Sequence, residues 1–163
     1  MLDVPAQTLA GKVRQWIPAG KAKDAASGAW LGHPVHPPLT DLVIGSFLSA
    51  SLLDLLAPRS GARAARRLIA VGIAAGAPAA LTGISDWADS ELSDEGVRRV
   101  GLVQASANIS GLLLYAASLI ARRRGARIRG ALLAITGAGV LGFGGYLGEG
   151  GLARRNDVRP QRF

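Results

Sequence analysis

Four apolar runs constrain this chain more than any other feature: Leu39–Ala57, Leu68–Ile84, Val100–Ala121 and Gly130–Leu147. About 20 helical residues cross the hydrocarbon of a bilayer. The second and fourth runs are short, so they would tilt little. None carries a polar stripe wide enough to face water, as a helix of a soluble bundle would. The runs therefore predict an all-α, integral membrane four-helix bundle, with a soluble four-helix bundle as the rival. Composition supports the membrane. Residues are 49% hydrophobic but only 5% aromatic, and many of the 22 glycines lie inside the runs. Glycine in a helix interior costs roughly 1 kcal/mol relative to alanine, whereas in lipid small residues let helix backbones approach closely.

The formal charge of +8 raises the question of nucleic acid. The basic residues, however, sit between and beside the apolar runs, the distribution of a membrane protein, so no nucleic-acid partner is expected. The absence of cysteine excludes disulfides, thiolate nucleophiles and protein-held iron–sulfur clusters. The first 30 residues lack a continuous apolar segment with a cleavage site, so the runs themselves are expected to direct insertion. Residues 1–30 read as an amphipathic arm and linker. Leu9, Val13, Trp16 and Ile17 share one helical face, and Pro18 ends the pattern. The arm is either an interfacial helix with Trp16 at headgroup level or a loosely docked tail. Residues 31–150 form the transmembrane domain, and residues 151–163 a basic tail.

The connections differ in charge. Residues 58–67 carry Arg59, Arg63, Arg66 and Arg67 and no acid; residues 122–129 carry Arg122, Arg123, Arg124, Arg127 and Arg129, again with no acid. Between them, residues 85–99 hold Asp86, Asp89, Glu91, Asp94 and Glu95. Arginine-rich short loops stay in the cytoplasm, so 58–67 and 122–129 are expected there. The termini would face the other side of a bacterial inner membrane. Small residues predict how the helices pack. The seams are Gly130, Ala134, Ala138 and Gly142; Gly72, Gly76 and Ala80, beside Ala75, Ala79 and Gly83; and Gly45 with Ser49.

Polar residues at membrane depth are functional candidates by default. The only two histidines lie in His33-Pro34-Val35-His36-Pro37-Pro38-Leu39-Thr40-Asp41, at the mouth of the first run. Pro37 or Pro38 suits a first helical turn, which places Asp41 in that turn as well. The depth of each residue gathers His33, His36, Thr40, Asp41, Ser85, Asp86, Trp87, Gln104, Asn108, Tyr146 and Glu149 in one outer layer. Asp54 falls near the other face, where Arg59 or an arginine of 122–129 would pair with it. Three readings of the outer cluster stay open. In the first, each histidine donates to a carboxylate or carbonyl and fixes the helix entries. In the second, His33 and His36 bind a metal ion or haem, with a carboxylate as orienting partner. A site with both haem ligands from facing helices would need another histidine, and the later runs have none. In the third, His36 and Asp41 handle protons or a quinone. No Gly-x-Ser-x-Gly motif supports a hydrolase.

The segment Gly32–Asp41 resembles the opening signature of a bacterial family of predicted membrane proteins with no established function. Thr82-Gly83-Ile84-Ser85-Asp86-Trp87, Arg99-Val100-Gly101-Leu102-Val103 and Gly144-Gly145-Tyr146-Leu147-Gly148 resemble it too. The resemblance implies a four-helix domain of actinobacterial type, sometimes fused to a Rieske iron–sulfur domain. This chain has no cysteines for such a cluster, so a Rieske or other redox partner would be a separate protein. Members often carry histidine where Gln104 stands. The expected role is an accessory rather than enzymatic subunit of a membrane electron-transfer assembly, as a homo- or hetero-oligomer. The alternatives are a haem- or metal-binding electron carrier and a small-molecule or proton transporter component.

Overall fold

A computed structural model of the chain describes residues 3–17, 20, 23–24, 28, 32–90 and 95–158, with side chains for all of these except 89–90, 95–97 and 147–158. Pro18, Glu149 and the acidic residues Asp89, Glu91, Asp94 and Glu95 lie outside the described residues or side chains. The elements are helices: α1 Asp3–Trp16, α2 His36–Leu56, α3 Ala62–Ser90, α4 Glu95–Arg123 and α5 Arg127–Val158. Among the described residues four stretches are long and apolar enough to span a membrane: His36–Leu56, Ala62–Ala88, Arg98–Arg123 and Arg127–Tyr146. Helices α3, α4 and α5 outrun at both ends the apolar runs that announce them, because backbone hydrogen bonding does not stop where side chains become charged, whereas α2 starts three residues before its run and ends one short of it.

Short connections make α2–α3 and α4–α5 antiparallel hairpins. The α4–α5 turn is a Schellman motif. Ala126 N–H donates to Ala121 O at 3.0 Å and Gly125 N–H to Arg122 O at 3.2 Å, while Gly125 takes φ +81°, a left-handed conformation that favours glycine. The two hairpins close into a ring, with α3 against α4 and α2 against α5. Across the middle, α2 reaches α4 through long side chains. The rings of Phe47 and Tyr115 stack with centroids 3.6 Å apart and planes 4° from parallel. Glycines admit this pair: a Cβ on Gly72 would fall 2.4 Å from the Phe47 ring, and one on Gly137 would fall 3.1 Å from the Tyr115 ring. Val43, Ala50, Ile69, Ala75, Ala79 and Ala134 complete the core. Leu48, Leu55, Leu113 and Ile135 point outward, as lipid contact requires.

The packing faces depart from the expected seams. On α5, Gly130 and Ala134 are buried, but Ala138 is exposed and Gly142 has open space around it. The face against α4 is Gly130, Ala134, Gly137, Leu141 and Gly144. Counting in strict fours drifts about 40° per step on a 3.6-residue helix, whereas alternating fours and threes stays on one face. The same drift leaves Ala80 exposed on α3. Gly45 meets nothing within 4 Å, so the Gly45–Ser49 pair lies outside the bundle.

Helix α1 docks on the α3–α4 hairpin. Ala6, Ala10 and Val13 are buried, with Ala10 and Val13 against Ala88 and beside Ile17, Ile84 and Trp87. Arg14 donates to the Ala88 carbonyl. Arg99 grips the Asp3 carboxylate with two bonds, Nε to Oδ1 at 2.9 Å and Nη2 to Oδ2 at 2.8 Å. The hydrogen bond from Arg99 holds the Asp3 carboxyl below the ordinary aspartate range, outweighing the opposing desolvation. Trp16, expected on the apolar face, is 77% exposed.

Candidate functional site

The His-Pro stretch begins α2 earlier than expected. Val35 is the N-cap, His36 the first helical residue, and the prolines occupy the first turn, where a missing N–H costs nothing. Upstream, Gly28 has φ +85°, and a Cβ there would fall 2.2 Å from the His33 carbonyl. The linker therefore packs directly on this stretch through a residue that has to be glycine.

His36 is inserted between α2 and α3. Its Nδ1 lies 3.0 Å from the Ala79 carbonyl and 3.0 Å from Thr82 Oγ1. A carbonyl can only accept, so Nδ1 carries the proton and donates to it. Thr82 in turn donates to the Pro78 carbonyl at 3.1 Å or the Ala79 carbonyl at 3.0 Å. In the neutral ring the lone pair then sits on Nε2. Its nearest polar group is Thr40 Oγ1 at 3.5 Å, and that hydroxyl already donates to the His36 carbonyl at 3.0 Å. The ring lies on Gly83, where a Cβ would fall 2.6 Å from Cε1.

The other candidates are placed differently. His33 is exposed, and its Nδ1 lies 3.3 Å from the neighbouring Pro34 carbonyl. Asp41 is exposed. It lies on the second turn of α2 rather than the first, because the helix starts at His36. Five residues turn a helix by about 140° past a full circle, so Asp41 faces away from His36. Asp86 is exposed on α3. Asn108 faces α5 instead of His36, with Oδ1 3.0 Å from where a Cβ on Gly144 would sit. Gln104, one turn before it, is half-buried. Among the described residues no three histidine, cysteine, aspartate or glutamate side chains gather in a metal-binding group. Of the two histidines, His36 is the one that packs inward.

What meets at this end is a set of side chains lying on glycines. His36 lies on Gly83, the Trp87 indole on Gly101 (a Cβ there would fall 2.1 Å from Cδ1), and Asn108 on Gly144. Among the described residues the buried Trp87 Nε1 has no hydrogen-bond partner. The arrangement interlocks α2 with α3, α3 with α4 and α4 with α5. Thr82 and Gly83 have a sequence signal: a hydroxyl and a glycine one turn after Pro78, facing the mouth of another helix.

A second polar cluster lies at the opposite end. Arg122 is 7% exposed and makes a two-pronged contact with Asp54, Nη1 to Oδ1 at 2.8 Å and Nη2 to Oδ2. Arg122 Nε donates to Ser118 Oγ at 3.1 Å, and Ser118 donates to the Gly130 carbonyl at 2.6 Å. This chain of bonds ties α2, α4 and α5 together. Asp54 thereby takes an arginine of 122–129 rather than Arg59.

Residues 32–159 match a family model described as a predicted membrane protein (DUF2231). No curated protein and no solved structure matches the chain.

Proposed function

The chain belongs to the DUF2231 family of predicted membrane proteins, and from that premise we propose that it is an integral membrane accessory subunit of an electron-transfer assembly. The observation that carries the accessory role is the engagement of His36. Its Nδ1–H bonds the Ala79 carbonyl and its ring packs on Gly83, so the group best suited to chemistry holds two helices together. The redox setting rests on the resemblance of the His-Pro stretch to domains found beside Rieske centres. In this reading the arginine-rich connections face the cytoplasm of a bacterial inner membrane, following the rule for basic short loops. The His36 end then faces the side where a separate Rieske or other redox protein would dock. The test is purification of the tagged chain from its native membrane in mild detergent. Co-purifying subunits with iron–sulfur or haem absorption are expected. A chain that purifies without them contradicts the proposal.

One observation favours a second reading, a haem- or metal-binding electron carrier. A ring whose Nδ1–H is held by a carbonyl and whose Nε2 keeps its lone pair is oriented as metal-ligating histidines are. The second axial ligand would then have to come from outside this chain's histidine set, or from another copy. A Soret band in the isolated chain, lost in His36→Ala, would favour it.

A further inference from the structure

We propose that the end of the bundle formed by the α2–α3 and α4–α5 connections binds the phosphate groups of anionic phospholipids. The Asp54–Arg122 contact brings the last turns of α2 and α4 together, so both connections lie at one end. Every basic residue there is arginine, and the connections contain no acid. The one nearby carboxylate, Asp54, is already taken by Arg122. Arg63, Arg66, Arg67 and Arg129 are exposed and Arg127 half-buried, and no ion pair among the described residues includes them.

The first turns of α3 and α5 supply no acid to offset these arginines. A helix N-terminus carries partial positive charge and free N–H groups, and natural sequences place acids in its first turn. Instead α3 opens with Arg63, followed within two turns by Arg66 and Arg67, and α5 opens with Arg127 and Arg129. The ends of α2 and α4 lie at the same end of the bundle, and their partial negative charge opposes that of the two helix starts, so the surplus positive charge is that of the arginines. An anion supplied from outside would offset it.

The occupant follows from depth and chemistry. Candidate spans end at Leu56 and Arg123 and begin at Ala62 and Arg127, so the arginines lie between these spans or within the first two turns of the next, where side chains as long as arginine reach the headgroup region. Guanidinium forks match phosphate in two-pronged geometry, which an ammonium cannot do. Basic clusters at the ends of spans attract anionic lipid. Positive charge needed only to set topology would be served equally by lysine, yet lysine is absent from both connections.

The test uses the full-length protein in a neutral mild detergent. Thermal unfolding and native mass spectrometry are measured with phosphatidylglycerol, with phosphatidylcholine and with inorganic phosphate. Phosphatidylglycerol should raise the unfolding temperature and remain as bound adducts, while the other two do neither. A variant carrying Arg66→Lys, Arg67→Lys, Arg127→Lys and Arg129→Lys keeps the charge and removes the forks. It should bind phosphatidylglycerol roughly tenfold more weakly, the loss of about one charge-assisted hydrogen bond. Equal stabilisation by phosphatidylcholine overturns the proposal, as does stabilisation by inorganic phosphate alone. Unchanged binding by the lysine variant overturns the arginine-specific contact. The lipid comparison on the unmodified protein stands even if the variant fails to fold.

Discussion

His36 and Gly83 define each other: the imidazole reaches the Ala79 carbonyl only because residue 83 has no Cβ. His36→Ala should destabilise the protein in detergent by about 1–2 kcal/mol, the range for losing one partly buried hydrogen bond together with its packing. Gly83→Ala should cost about 1–3 kcal/mol, as overpacking does. The double variant should lose less than the sum, because removing the ring removes the clash. Strict additivity would mean that the two residues do not meet. His33→Ala should change little, since His33 is exposed. Asp3 offers a pH test of how α1 docks. Its carboxyl titrates below the ordinary range because Arg99 holds it. Its contribution is therefore complete above the unfolded aspartate range and disappears as pH falls through the lowered value. Protease protection of α1 should weaken with acidification in the parent and lack that pH dependence in Asp3→Asn. At this scale the sequence was only half legible. Prolines placed His36 at a helix mouth, but nothing in a single sequence tells which neighbouring face it enters. Asp41 falls one turn further into α2 than the prolines suggest, because the helix starts at His36, and that turn sends it away from the ring.

The helices themselves were legible from hydropathy, because spanning lipid demands apolar length. Their contact faces were less so. A repeat of four looks like a seam in sequence, yet it winds off the face after two steps. The structure therefore predicts that Gly137→Leu, which enters the space of the Tyr115 ring, lowers stability by about 1–3 kcal/mol. Ala138→Leu, on an exposed face, should be close to neutral. Thermal unfolding of the two variants in one detergent decides the register. The Asp54–Arg122 pair ties α2 to α4 across the bundle. Asp54→Ala leaves a buried guanidinium without its partner and should cost about 3–5 kcal/mol. Asp54→Leu combined with Arg122→Met should recover most of that loss, because burying two charges is itself costly. Sequence limited the choice for Asp54 to a few arginines by depth, and packing selected Arg122.

The whole molecule has two chemically distinct ends, one with side chains seated on glycines and the α1 helix, the other with arginines. If the arginine end faces the cytoplasm, cysteines introduced by Ser60→Cys and Ala126→Cys will be shielded from an impermeant thiol reagent in intact cells, and Gln7→Cys will be labelled. The reverse pattern inverts the orientation without changing the bundle. In an accessory subunit His36 serves packing rather than ligation. The visible absorption spectrum of the isolated full-length chain in mild detergent, recorded with its metal content, tests it most directly. A colourless protein without stoichiometric metal is the predicted result. A Soret band or a bound metal that disappears in His36→Ala would contradict it and make the chain a carrier.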